Sequence, residues 1–311
     1  MSGKIRGLTS KVSTAKIKEF VAKLTVIPDT ARNFDSSLAE ATNTFRIPLQ
    51  LIDLLTESGF PHRGSGNDRT FDQCDLRSTM LHLGCGSVGL AMRRFWPTAL
   101  NHHPETDPLT YEITLQSDCW DSRDSNECEV SFYLPGGYTK ASERTPSGTA
   151  CTRFLADIPA QWPELGERER ALIDSVAELE FMWLPDSLRG DDKFMRRTGL
   201  GDCLSVAEIL NETAGQYGLT ARVSQGLIIT PPFAAPHYWT DVLMGERWVP
   251  IDPLMVKAMI EWGALRTPEW DIYRSTGRAV LRLGPAEWQP LTLHSCGSLG
   301  EKIGCGLVRD S

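Results

Sequence analysis

The residues with the clearest potential for chemistry are a cysteine, a histidine and an aspartate in the second half of the chain. Asp202 is a favourable N-cap residue, so Cys203 is expected in the first turn of a helix. Free backbone N–H groups and the helix dipole favour a thiolate there, although the charge of Asp202 opposes it. An imidazolium beside the sulfur would stabilise the thiolate, and His237 is the candidate. Cys203 is therefore predicted to be a nucleophile; a core position on the apolar helix face is the alternative.

His237 and Asp252 are predicted to lie on neighbouring antiparallel strands. His237 opens one stretch of strand-forming residues, and Asp252 ends the next, with a turn at 244–246 between them. The carboxylate can then hold the imidazole in the tautomer whose other nitrogen faces the sulfur. Because Cys203 precedes both by more than 30 residues, only tertiary structure can bring the three together.

Hydrophobic periodicity predicts the elements that must position these residues. Glycine tolerates the left-handed conformation at a helix end, so the helix that begins at Cys203 is expected to stop before Gly218. The predicted elements of this half are helices at 167–183 and 203–217 and strands at 221–229, 237–243 and 247–251.

The first half of the chain has a different pattern of apolar residues. Alternating apolar residues at 111–115 and 128–134 predict two strands of a β-hairpin, and helices are expected near residues 17–24 and 49–58. The composition shifts near residue 150. We therefore predict an accessory region of helices and a β-hairpin at 1–150, which shapes the substrate entrance, and a catalytic core at 151–311.

Three short motifs occur in an order typical of one group of proteins. They are Gly201-Asp202-Cys203 at a helix start, His237-Tyr238-Trp239 on a strand, and a Trp248 strand that ends in Asp252-Pro253. The segment 190–255 thereby resembles the transglutaminase-like superfamily, which has a papain-like Cys-His-Asp core. The resemblance implies an α+β fold in which the nucleophile helix packs on an antiparallel sheet. It also implies catalysis by Cys203, His237 and Asp252.

A thiolate of this kind attacks an amide, ester or thioester carbonyl and forms a thioester intermediate. An amine acceptor then gives amide formation or exchange, which is the expected reaction, and water gives hydrolysis. A thiol hydrolase or peptidase and a non-catalytic binding module on the same fold are the alternatives. The expected partners are a small-molecule, peptide or carrier-protein acyl donor and an amine or water acceptor. No cofactor is predicted.

Three tryptophans are candidates for the substrate pocket. The Cys203 backbone N–H can bind the oxyanion, and the Trp183 indole N–H is a candidate second donor. A core tryptophan at the end of an amphipathic helix is the commoner role for such a residue. Trp239 and Trp248 flank the motifs and could wall the pocket or pack in the sheet.

Two other motifs point to different chemistry. Gly84-x-Gly86-x-x-Gly89 after the apolar residues 80–83 is typical of a dinucleotide or methyl-donor site, but no βαβ pattern follows, so a tight turn is the default. His294, Cys296 and Cys305 lack the paired spacing of a structural zinc site, and no metal is predicted.

Composition sets the class of protein. The 311 residues are 41% hydrophobic and 23% charged, which is typical of a globular chain. A formal net charge of −8 weighs against binding to nucleic acid or to an anionic membrane. The sequence has no apolar run of secretory or membrane-spanning length, so a cytoplasmic protein with mostly reduced cysteines is expected.

Overall fold

The computed structural model describes residues 12–86, 92–101, 108–119, 128–144, 149–285, 289–295 and 298–308, with the backbone alone at 119, 285 and 298–300. The α-helices of this part are Thr14–Leu24 (α1), Leu38–Asn43 (α2), Leu49–Glu57 (α3), Gln73–Leu83 (α4), Thr98–Asn101 (α5), Glu167–Asp174 (α6), Asp192–Thr198 (α7), Cys203–Thr213 (α8) and Pro253–Glu261 (α9). Its strands are Ser36–Ser37 (β1), Thr70–Phe71 (β2), Leu109–Cys119 (β3), Val130–Leu134 (β4), Gly137–Lys140 (β5), Glu143–Arg144 (β6), Ala150–Ile158 (β7), Glu180–Phe181 (β8), Leu200–Gly201 (β9), Ala221–Thr230 (β10), Phe233–Met244 (β11), Arg247–Ile251 (β12), Val280–Pro285 (β13), Thr292–His294 (β14) and Ser298–Leu307 (β15).

An eight-stranded antiparallel sheet forms the centre of the fold. Its strands lie in the order β13-β10-β11-β15-β3-β7-β6, and β12 pairs with β11 beside this path. Helices cover the sheet, so the expectation of an α+β architecture is confirmed at this level. The sheet contains strands from both sides of residue 150, and the division into an accessory region and a core stays a prediction.

Helix α8 packs on the strands β10 and β11. Asp202 caps it by accepting a hydrogen bond from the Ser205 N–H at 2.9 Å, and the Thr240 hydroxyl of β11 donates to the Ala207 carbonyl at 3.1 Å. The last turn tightens into a 3₁₀ helix that ends at Gly218, which has φ +68°. The prediction of a helix over 203–217 is therefore confirmed, with this change in its last turn.

The three strands predicted after this helix are present, and their ends differ by a few residues. β10 and β11 pair continuously from Ala221 opposite Val242 to Thr230 opposite Phe233. Gly245 has φ +62° in the turn before β12, a conformation that glycine adopts at little cost.

The predicted helix over 167–183 is wrong in its second half. The helix ends at Asp174, and the strand Glu180–Phe181 pairs in parallel with β9. The Met182 N–H donates to the Gly201 carbonyl at 2.8 Å. The apolar residues between helix and strand are buried in either arrangement, so their periodicity could not reveal this long-range pairing.

The predicted hairpin between 111–115 and 128–134 is also wrong, although both segments are strands. β3 pairs with β7 and β15, whereas β4 pairs with β5 and β14. Alternation specifies which face of a strand is buried but not which strand lies beside it. The residues 120–127 that join the two segments lie outside the described part.

The glycine-rich motif does not follow a strand. Residues 80–83 are the last turn of α4, which ends at Gly84 with φ +61°. Gly86 also has a positive φ, and a Cβ atom there would lie 2.4 Å from the Phe45 carbonyl oxygen, so glycine permits a tight turn and a close approach. Gly89 lies outside the described residues, as do His102, His103 and Cys296. No helix in the described residues is long and apolar enough to cross a membrane.

A buried histidine of α4 predicts a pH dependence of stability. His82 Nε2 lies 2.7 Å from the Phe181 carbonyl oxygen, and burial lowers the pKa of the imidazole to about 4 despite this hydrogen bond. The unfolded chain, with an ordinary histidine pKa of about 6.5, binds more protons between these values. The contribution of His82 to the free energy of unfolding should therefore fall by up to about 3 kcal/mol as the pH falls from 6.5 to 4.

The His82→Gln variant is expected to lose this contribution to the slope. Urea unfolding at several pH values from 4.5 to 7 gives the free energy of unfolding of the variant and of the wild type as a function of pH. The difference between these two curves is the contribution of His82. The difference is needed because burial raises the pKa of Asp75 to about 7, which acts in the opposite direction. Parallel curves would contradict the prediction.

Candidate active site

Cys203 is the first residue of α8, and its side chain is partly exposed. The carboxylate of Asp202 beside it is buried, and one of its oxygens accepts a hydrogen bond from Arg189 Nε at 3.1 Å. The guanidinium therefore offsets the acidic charge that opposes a thiolate at this position. Free N–H groups at the helix start act in the same direction as Arg189.

His237 and Asp252 form a buried pair. Their closest atoms, His237 Nε2 and Asp252 Oδ2, are 2.5 Å apart. The other oxygen of Asp252 accepts a hydrogen bond from the Met255 N–H at 2.9 Å and so caps α9. Antiparallel pairing of β11 with β12 brings the two residues together, as the sequence predicted. Because both oxygens are engaged, the carboxylate has a fixed orientation toward the ring.

The Cys203 side chain also interacts with the imidazole. Since Nε2 contacts Asp252, Nδ1 is the ring nitrogen left for the sulfur. Burial alone would lower the pKa of His237, but the hydrogen bond to Asp252 and the interaction with Cys203 outweigh burial and raise the pKa well above its usual range. The ring is therefore positively charged near neutral pH, and a cation lies beside the thiol.

Trp239 lies beside His237 and does not border the cavity, described below, that contains Cys203. Its ring stacks near the His237 ring, with 6.3 Å between centroids and 21° between planes. Its indole N–H donates to Asp241 Oδ1 at 3.0 Å, so its polar atom is already engaged. A Cβ atom at Gly226 would lie 2.8 Å from this ring and 2.0 Å from the Leu281 carbonyl oxygen. Glycine therefore allows the close packing that holds the tryptophan behind the imidazole.

Trp248 is farther from the three predicted catalytic residues. It pairs with Leu243 on β11, six residues after His237, which corresponds to about 20 Å along a strand. The Arg222 guanidinium carbon lies 4.1 Å from its ring centroid. Neither Trp239 nor Trp248 borders the cavity that Cys203 and His237 share, which favours packing in the sheet over a place in the pocket wall. Their closeness in sequence to the motifs did not reveal which side of the sheet each ring would occupy.

A cavity of about 600 Å³ contains Cys203, His237 and the third tryptophan, Trp183. This volume suits a small-molecule group. Most of its wall is apolar: Phe45, Met80, Met92, Trp96, Phe181, Leu204, Ile228, Ala235 and Pro236. The first four come from the first half of the chain, and nothing in their spacing pointed to the cavity. A separate cavity of about 550 Å³ beside Trp162 and Trp270 contains none of the predicted catalytic residues.

Trp183 reaches the cavity through the strand pairing that replaced the predicted helix. Its backbone N–H donates to the Ser78 hydroxyl at 3.1 Å, and its ring contacts Phe181 edge-on with 5.5 Å between centroids. Its indole N–H is buried and has no hydrogen-bond partner among the described residues. No other group among the described residues therefore competes for the donor that was predicted as a candidate.

Tyr238 is a cavity residue that the sequence did not single out as a donor. Its hydroxyl is buried and, within the described ranges, has no hydrogen-bond partner. Burial, reinforced by the charge of Cys203, raises the pKa of the phenol to about 12. Its position next to His237 on β11 was the one signal available in the sequence.

Neither a protein-family model nor a curated protein sequence matches the chain. Among solved structures, a candidate cysteine protease from Cytophaga hutchinsonii is similar to it, with a TM-score of 0.36 and 10% sequence identity. The aligned part covers 66% of this chain and 93% of that protein. At this degree of similarity, neither a shared family nor a shared activity follows.

Proposed function

We propose that this protein is a cysteine-dependent acyltransferase with a transglutaminase-like core, which forms or exchanges an amide bond through a thioester on Cys203. One observation carries the proposal. A buried imidazole is bound by a carboxylate on one nitrogen and interacts with a cysteine side chain at a helix start, and both His237 and Cys203 border one cavity. This is the arrangement that activates a thiol nucleophile.

In the first step the Cys203 sulfur attacks the carbonyl carbon of the donor. A carbon–sulfur bond forms, the bond from the carbonyl carbon to the leaving group breaks, and the imidazolium of His237 gives its proton to the leaving group. An amine then attacks the thioester and gives its proton back to His237. The carbon–sulfur bond breaks, and the thiolate is regenerated beside the imidazolium. Asp252 keeps the ring in position throughout.

Trp183 is the proposed side-chain donor to the carbonyl oxygen, together with the backbone N–H of Cys203. Support comes from its unpartnered indole N–H in the cavity wall. The acyl group of the donor would lie against the apolar wall. A small apolar acyl group fits this volume and lining better than an extended polypeptide chain.

Hydrolysis is the second candidate, since Cys203 is partly exposed and water can reach the thioester. The two reactions differ only in the acceptor, which is an amine in acyl transfer and water in hydrolysis. A non-catalytic binding module on this fold is the third candidate, and it predicts a thiol of ordinary reactivity.

The test is intact-mass spectrometry after incubation with thioesters that carry aliphatic or aromatic acyl groups, with and without an added amine. We expect a covalent acyl adduct on Cys203 that disappears faster when the amine is present, with release of the amide. The adduct should be absent from Cys203→Ala. It should persist in Cys74→Ala, because burial raises the pKa of the Cys74 thiol to about 12.

The other outcomes separate the candidates. Decay of the adduct at the same rate with and without amine, and release of the free acid, would favour hydrolysis. The absence of any adduct, with Cys203 alkylated by iodoacetamide no faster than the other thiols, would favour the non-catalytic module.

A further inference from the structure

Two residues that border the cavity each have a buried hydrogen-bond donor without a partner in the described part of the chain: Trp183 Nε1 and Tyr238 Oη. A buried donor without a partner costs about 1–3 kcal/mol, and native proteins contain few of them. Both side chains lie in the wall that contains Cys203, so a bound group would give them a partner. That group must offer an oxygen acceptor.

The phenol of Tyr238 lies close to the nucleophile. After burial, the charge of Cys203 is the largest influence on its ionisation, and the pKa of about 12 keeps the hydroxyl protonated as a donor. The nearby Arg189 is already bound to the Asp186 and Asp202 carboxylates. The phenol therefore has a proton to donate, and its side chain borders the same cavity as Cys203.

We propose that the Tyr238 hydroxyl donates a hydrogen bond to the substrate carbonyl oxygen as this oxygen becomes negatively charged during attack by Cys203. This proposal rests on the proposed acyl transfer. Tyr238 and Trp183 would then both donate hydrogen bonds to the substrate carbonyl oxygen. Tyr238 would do so from β11 and Trp183 from the segment after β8. The free protein bears the cost of the unpartnered hydroxyl because the hydrogen bond forms in the transition state.

The competing explanation is structural. Tyr238 also interacts electrostatically with Glu208 of α8, and a small rearrangement could pair the two side chains to stabilise the helix. The two roles predict opposite effects for Tyr238→Phe, which removes only the hydroxyl. A structural hydroxyl would lower stability when lost and leave the chemistry unchanged. An unpartnered donor to substrate would leave stability equal or raise it, while the chemistry slows.

The experiment compares two probes of Cys203 in the wild type and in Tyr238→Phe. 3-Phenylpropanal adds to the thiol, so a carbon–sulfur bond forms, the carbonyl π bond breaks, and the oxygen takes up the proton in a hemithioacetal that resembles the intermediate. Iodoacetamide alkylates the same sulfur without forming an oxyanion. Tyr111→Phe is the matched control, because Tyr111 is a buried tyrosine on β3 that does not border the cavity.

We expect Tyr238→Phe to weaken aldehyde binding about 10²-fold, the size found when one oxyanion donor is removed. Alkylation should stay within about twofold of the wild-type rate, and the unfolding midpoint should be equal or higher. Unchanged aldehyde affinity, or equal losses with both probes, would overturn the role of Tyr238. A wild type that forms neither the aldehyde adduct nor the acyl adduct would overturn the proposed function as well, so the two failures are distinguishable.

Discussion

The His237→Gln variant is expected to acylate Cys203 about 10²–10⁴-fold more slowly than the wild type, the usual contribution of a general acid–base group. Glutamine can still hydrogen-bond with Asp252, but it carries no positive charge for the thiolate and no proton for the leaving group. The rate at which the acyl adduct appears, followed by intact mass under pseudo-first-order conditions, measures the effect.

The matched control is His82→Gln, the same substitution at a buried histidine whose ring nitrogen bonds to a backbone carbonyl instead of to Cys203. It should acylate at nearly the wild-type rate. Equal rates for His237→Gln and wild type would show that this imidazole transfers no proton in the slow step. A loss in both variants would indicate general destabilisation instead.

Replacing Arg32 by Ala is expected to reduce the free energy of unfolding by about 3–5 kcal/mol. Arg32 Nε lies 2.7 Å from Asp75 Oδ2, and the two side chains are only 1% and 0% exposed. The same guanidinium also donates to the carbonyls of Leu24 and Ile27. Without it, the carboxyl group and the Ile27 carbonyl lose this donor, whereas the Leu24 carbonyl keeps its hydrogen bond from the Ile27 N–H. Urea or thermal unfolding measures the loss.

The size of this loss should depend on pH. Burial raises the pKa of Asp75 to about 7, although Arg32 opposes the shift. At pH 5 the carboxyl group is protonated in both proteins, so the lost attraction is smaller; at pH 8 only the wild type has a charged partner for the carboxylate. The difference between variant and wild type should therefore grow from pH 5 to pH 8.

Two further variants test the cause. Arg196→Ala removes an exposed arginine paired with Asp192 within one helix, and should cost roughly 0.5 kcal/mol or less. The double replacement Arg32→Met with Asp75→Leu removes both charges and should recover much of the loss. If the double variant is as unstable as Arg32→Ala, the bonds to the carbonyl groups, and not the charge left on Asp75, explain the effect.

The ion pair links the N-terminal helices to the cavity. Asp75 lies on α4, and the next turn of that helix supplies Met80 to the apolar wall. Loss of the Arg32 contact should therefore disturb the substrate wall even where Cys203 and His237 stay in place. The predicted catalytic residues lie in the second half of the chain, whereas part of the apolar wall comes from the first half.

The local signals in the sequence predicted the nucleophile helix and its two partner strands well. Asp202 and Gly218 are residues whose chemistry defines the ends of a helix, so the limits of that element could be read directly. Periodicity located strands but not their neighbours. It therefore misassigned the partner of β3 and extended the helix at 167–183 through a strand.

Sequence order alone determined that a thiol, an imidazole and a carboxylate were present on elements that could meet. Tertiary structure decided that Trp183 and Tyr238, and not Trp239 or Trp248, border the cavity with Cys203. The physical reason is that capping and alternation depend on nearby residues, whereas the direction of a side chain into a cavity depends on packing between segments far apart in the chain. The apolar wall from the first half of the chain arises in the same way: Met80 lies on α4, Phe45 follows α2, and both border the cavity that His237 borders.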